Sequence, residues 1–307
     1  MGSINKKLVT LSAYFICNIG LTLYNKVILG PLPFPWILTA LHTGCSSIGC
    51  TIVLWLGSYS TTELTRGEYL TLFAFSLLFT LNVAISNISL ATVSVHFHQL
   101  VRATTPLVTA FLSHILNHET FPWRTYLALV PVVIGICLAT HGELAFADAG
   151  FMFTTAGVVL AAAKTITTNC ILTGVLALSP WEVLYRMAPL ACAQSLVCAL
   201  LTGELSEFCH LARREVMLAK DAGTMAALRF ILILAGNGTL AFGLNVSSFT
   251  TNKAVGALTM TVCGNIKQCA TILLGILLFD AHLSMMNYWG VMVTLAGGFA
   301  YSYSEAT

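Results

Sequence analysis

Charge is what this sequence has least of. Only 8% of its 307 residues are Asp, Glu, Lys or Arg, against roughly 25% in a soluble domain. That deficit excludes a surface solvated mainly by ions. With 57% hydrophobic residues and a mean hydropathy of +0.85, most side chains must face lipid or other helices. Basic runs are missing too: Lys6/Lys7 and Arg213/Arg214 are isolated pairs and the net charge is +2, so nothing favours nucleic acid as a partner. The ten cysteines lie scattered in apolar segments without a C-x-x-C pair, Cys45 and Cys50 coming nearest. That pattern argues for buried thiols and against a cysteine metal site. There is no P-loop, no G-x-S-x-G and no pair of catalytic carboxylates. Hence no catalytic residue, no metal and no cofactor is expected. His114 and His118 share a helix face at the spacing a zinc site would need. At a helix end beside Pro122 they read better as a polar interfacial face.

What is present is a succession of apolar runs of about 20 residues, the length that crosses a bilayer. They predict an all-α membrane protein of ten transmembrane helices, near 7–29, 34–57, 68–88, 93–117, 122–141, 149–173, 180–202, 225–247, 252–279 and 285–303. Pro31, Pro33, Gly57, Pro122, Gly142 and Pro180 mark breaks, and 203–223 reads as the one long polar loop. Pro106 predicts a kink in the fourth span. Lys6 and Lys7 precede a run of spanning length rather than a cleavable signal, and no organelle transit peptide is expected. Ten spans put both ends on one side. Lys6, Lys7, Arg66, Arg124 and Lys253 fall there; Arg213, Arg214 and Lys220 fall opposite with the acidic 143–148 stretch, and the first loops favour both termini in the cytosol. The sequons at Asn87, Asn237 and Asn245 lie in or beside spans, where no glycan is expected.

The chain reads as one transporter domain, 1–307, with an internal repeat. A shift of 162 residues pairs Gly135 with Gly297 and Glu143 with Glu305. Five helices is an odd number, so halves at 7–145 and 148–305 would be inverted, an arrangement that places a site at their interface.

Five cations fall inside the spans: Lys26, Arg102, Lys164, Arg186 and Lys267. Each costs at least ~2.5–3.5 kcal/mol at a span centre, and acidic partners there are scarce. A bound anion would supply the missing negative charge. Lys26 can instead snorkel to the interface, and Arg186 can pair with Glu182 one turn away. Thr105 falls opposite Lys267 under the shift. Asn265 can meet a sugar hydroxyl or bridge helices. The expected substrate-binding set is therefore Arg102, Lys267, Lys164, Lys26, Asn265 and Thr105.

These stretches resemble the triose-phosphate translocator and nucleotide-sugar transporter branch of the drug/metabolite transporter superfamily. The resemblance is carried by L-Y-N-K at 23–26, F-P-W-I-L-T-A-L-H at 34–42, N-I-S-L-A-T-V-S-V-H-F-H-Q-L-V-R-A-T-T-P at 87–106, G-x-x-L-A at 135–139, G-F at 150–151 and A-L-T-M-T-V-C-G-N-I-K at 257–267. It implies two inverted five-helix repeats and strict exchange. It also implies that Arg102 stands where plastid phosphate-exchanging members place a lysine and that Lys267 matches their ninth-helix lysine. Those members' adjoining arginine, third-helix histidine and eighth-helix tyrosine are Gln268, Val83 and Leu244 here. The departures point to an endomembrane antiporter, in Golgi or ER, that exchanges a nucleotide sugar or sugar phosphate for a nucleoside monophosphate or phosphate. An exporter of a small amphiphilic metabolite on the same fold is the alternative, and a membrane-embedded enzyme or scaffold a remoter one. Partners are the lipid bilayer and a small anion, with the chain a monomer or homodimer.

Overall fold

In hydrocarbon every backbone N–H and C=O must find its partner inside the protein, and helices achieve this segment by segment. The computed structural model describes residues 2–118, 120, 122–139, 148–174, 176–222, 225–261, 263–264, 267 and 284–306. Among them there are eleven helices and no strand: α1 (Gly2–Leu29), α2 (Pro35–Trp55), α3 (Arg66–Thr92), α4 (Val95–Arg102), α5 (Thr105–Asn117), α6 (Trp123–Ala139), α7 (Asp148–Thr173), α8 (Pro180–Leu201), α9 (Glu204–Ala222), α10 (Met225–Val255) and α11 (Met285–Ala306). Five of these contain stretches long and apolar enough to cross a membrane: Pro35–Trp55, Arg66–Thr92, Ala149–Thr173, Pro180–Leu201 and Leu228–Val255. Large apolar side chains such as Trp55, Phe111, Trp289 and Phe299 stand more than half exposed, as a lipid-facing surface requires.

Three expectations are corrected. The fourth span is two helices. Pro106 has no N–H to continue the ladder, and the chain turns at Ala103 and Thr104. The hydroxyls of Thr104 and Thr105 donate to the carbonyls of Val101 and Arg102 at the break.

The polar stretch 203–223 is mostly helix. Gly203, at φ +83°, turns the chain after α8, and α9 is amphipathic. Phe208 meets Phe34 edge-on, with ring centroids 5.9 Å apart. The Glu204 carboxylate accepts from the backbone N–H groups of Trp36 (2.9 Å) and Ile37 (3.3 Å). It thereby caps α2, whose own N-cap residue, Phe34, offers no side-chain acceptor. Burial pushes the Glu204 carboxyl above the usual carboxylate range, against the opposing pull of these two donors.

The eighth span runs on to Val255 instead of ending near 247. Nothing breaks it before Gly256, at φ +84°, and residues 257–261 then resume the helix. The ends of the fifth and ninth expected spans, with Glu143, Asn265 and Gln268, lie outside the described residues.

The most extensive helix packings among the described residues are α6 with α11, α2 with α8, α1 with α10 and α3 with α7. Small residues permit the closest of these crossings. A Cβ on Gly135 would stand 2.4 Å from the Thr294 nitrogen, and one on Gly297 2.7 Å from the Val132 nitrogen. These are the same two positions exchanged, each pair related by the 162-residue shift. P-W occurs at the start of both α2 (35–36) and α8 (180–181), a second internal echo. An apolar cluster that includes Phe75, Phe79, Leu184, Met187 and Phe249 joins α3, α8 and α10 on one side of the central cavity.

Candidate functional site

A cavity of about 210 Å³ lies among α1, α2, α3, α4, α5, α7, α10 and residues Met260, Thr261, Gly264 and Lys267. Arg102, Lys164 and Lys267 all line it, together with Thr105, and the described lining contains no Asp or Glu. The helix break delivers Arg102 as the last residue of α4 and Thr105 as the first of α5, so a discontinuous helix edges the cavity. Arg102 donates through Nη1 to Ser86 Oγ (2.9 Å) and Lys267 through Nζ to Asn18 Oδ1 (2.8 Å). The Lys164 ammonium lies 4.5 Å from the ring centroid of Phe79, a cation–π contact. These hydroxyl, amide and ring partners orient the three cations.

The other expected cations go elsewhere. Lys26 is not among the lining residues; its Nζ donates to the carbonyls of Leu90 and Val93, each at 3.0 Å, at the C-terminal end of α3. That is the place where a cation meets unpaired carbonyls and the negative end of the helix dipole. Arg186 pairs with Glu182 at 2.9 Å and also donates to the Tyr69 hydroxyl. The same carboxylate accepts from the Thr62 backbone N–H (2.7 Å), so this cluster ties the 56–65 segment to α8. Among the described residues no His, Cys, Asp and Glu cluster suited to a metal occurs.

Sequence reasoning missed the neutral polar lining, which includes Asn18, Asn82, Ser86, His42 and His98. His98 stands one turn before Arg102, and that spacing on one face of α4 was the available signal. His42 belongs to a chain that crosses four helices. Its Nε2 meets Asn237 Oδ1 (2.7 Å), Asn237 donates to Asn25 (2.8 Å), Asn25 to Asn87 (3.4 Å) and Asn87 to the Thr39 hydroxyl (3.1 Å). Asn87 and Asn237 are thus buried network members. Val83 and Leu244 also line the cavity, as apolar wall.

Residues 6–302 match the model of the Triose-phosphate Transporter family. The chain belongs to that family. Its members are transporters rather than enzymes, so this chain is a multi-pass membrane transporter. Within Arabidopsis thaliana, a probable sugar phosphate/phosphate translocator is 31% identical over 96% of this chain and 94% of its own length. UDP-uronic acid transporter 1 is 31% identical over 95% of this chain and 93% of its own. A GDP-mannose transporter is 30% identical over 97% of this chain and 85% of its own. One solved crystal structure superposes with a TM-score of 0.63 at 14% identity, covering 95% of this chain and 96% of that one, and so shares the fold.

Proposed function

We propose that this chain is an antiporter of a phosphorylated organic anion, a nucleotide sugar or sugar phosphate exchanged for a nucleoside monophosphate or phosphate. The observation that carries the reading is the cavity itself, where three cations converge and the described lining offers no carboxylate. The sugar phosphate, UDP-uronic acid and GDP-mannose named for the relatives are anions of this kind.

Arg102 and Lys267 bind the phosphate or diphosphate, Arg with a planar fork and Lys with a point charge. Lys164 adds positive field from the same half as Lys267, and Thr105 and Asn265 meet the sugar or base. Lys26 acts at the edge of this set, holding the end of α3. An empty cavity leaves positive charges close together in a low-dielectric interior, which opposes closure around them. Bound anion removes that opposition, and exchange rather than uniport follows.

The scaffold we propose is ten spans in two inverted halves, 7–145 and 148–305, with the ends in the cytosol and the protein in the Golgi or ER. The packing supports it. If α1, α2, α3 and α6 correspond to α7, α8, α10 and α11, then α2–α8 and α6–α11 each pair with their own counterparts. The α1–α10 contact is likewise the counterpart of α7–α3, as a two-fold relation demands.

Counterflow into proteoliposomes tests the proposal. Vesicles loaded in turn with nucleoside monophosphates or inorganic phosphate should take up labelled nucleotide sugar or sugar phosphate, and unloaded vesicles should not. Arg102→Ala and Lys267→Ala should each reduce exchange by about tenfold or more, the scale of a lost charge-assisted bond. Equal uptake into unloaded vesicles, or full exchange in both variants, would refute it.

A further inference from the structure

A second hydrogen-bond chain ends on the cavity, and its proton order can be worked out atom by atom. The Gly150 carbonyl can only accept, so Thr154 Oγ1, at 2.7 Å, spends its one proton there. Ser89 Oγ lies 2.6 Å from Thr154 Oγ1 and must therefore donate to it. Ser89 has no other proton, so at 2.9 Å from His98 Nδ1 it must accept. His98 thus carries its proton on Nδ1, and in the neutral ring Nε2 is a bare acceptor. His98 lines the cavity and is 3% exposed. With Nδ1 taken, Nε2 is the ring atom left for a ligand. A further acceptor lies on α3: Asn82 also lines the cavity, and among the described residues its buried side-chain oxygen has no hydrogen-bond partner. Asn82, Ser86 and Ser89 follow one another at helical spacing on α3. Ser86 accepts from Arg102 and Ser89 from His98, so along α3 the contact to Arg102 falls between Asn82 and the contact to His98.

A phosphate group cannot satisfy them, because a fully ionised phosphate has no proton to give. We infer that His98 is a specificity-determining residue whose Nε2 accepts a hydrogen bond from a hydroxyl of the bound anion, with Asn82 as its companion acceptor. The inference rests on the anion reading of this cavity and sharpens it: the preferred cargo is a phosphoanion carrying hydroxyls next to its charged group. A site built to hydrogen-bond a hydroxyl rejects the analogue that lacks it, because its own polar atoms are then left unpaired.

The test uses the purified full chain and two matched pairs of probes: glycerol phosphate against propyl phosphate, and uridine monophosphate against its dideoxy counterpart. Equilibrium affinities are measured for wild type, His98→Asn and His98→Gln. An Asn amide reaches only the Nδ1 position and keeps the Ser89 contact, whereas a Gln amide oxygen reaches the Nε2 position. The expected result is that wild type favours the hydroxylated member of at least one pair by about tenfold. His98→Asn should erase that preference by weakening the hydroxylated probe alone, and His98→Gln should retain it. A wild type that binds both members equally overturns the inference and leaves the anion reading standing. So does a His98→Asn variant that keeps the preference, or that loses both members alike. A wild type that binds none of the four overturns both.

Discussion

At the scale of the residue, the decisive contrast is between cations whose partners are backbone or carboxylate and cations that line the cavity beside hydroxyl, amide and ring groups. Lys26 lies against two carbonyls of α3 and Arg186 against Glu182, whereas Arg102, Lys164 and Lys267 face one cavity. Lys26→Met should lower the thermal stability of the purified chain by about 1 kcal/mol, the scale of a helix-end cation, while leaving the apparent KM for exchange unchanged. Lys164→Met should raise that KM by about tenfold with little loss of stability. The same pair of measurements would exclude this division if Lys26→Met moved KM and Lys164→Met did not. The three cavity cations were legible in the sequence, because a lone charge in an apolar run has no other ready explanation. His98 was not, since its role depends on hydroxyls from α3 and α7 that only the folded chain brings together. The destination of Lys26 was equally hidden, being set by where α3 ends.

At the scale of the element, small residues and borrowed caps decide where helices stop and how closely they cross. Gly135→Ala places a Cβ against backbone of α11 and should destabilise the chain by about 1–3 kcal/mol. Gly67→Ala, whose Cβ would meet nothing within 4 Å, should cause no loss. Thermal unfolding in detergent compares the two, and equal midpoints would contradict the close α6–α11 crossing. Glu204→Ala strips α2 of the carboxylate that caps its first turn and should cost about 1 kcal/mol, read in the same assay. Spans announce themselves by length and hydropathy, and α2, α3, α7, α8 and α10 were readable for that reason. Polar helix α9 was read as loop because its apolar face is narrow and its docking partners, Phe34 and the start of α2, are distant in sequence. The break at Ala103–Thr104 was foreshadowed by Pro106, but one proline does not distinguish a kink from a complete interruption. The run-on of α10 through Asn252 was obscured by polar residues that find partners on α7.

At the scale of the whole molecule, the chain belongs to a family of transporters, the two-fold relation we propose would account for its helix pairing, and the described walls of its central hollow are positive and neutral. The central claim is that a bound anion completes the charge balance of that hollow. The most direct measurement is ligand-dependent thermal stability of the purified chain, with uridine monophosphate compared with uncharged uridine. At a hundredfold excess over Kd, a ligand that binds only the folded state adds about 2.7 kcal/mol. The account predicts that the monophosphate raises the unfolding midpoint of the wild type, that uridine does not, and that Arg102→Ala combined with Lys267→Ala abolishes the response. Equal stabilisation by uridine, or an undiminished response in the double variant, would contradict it.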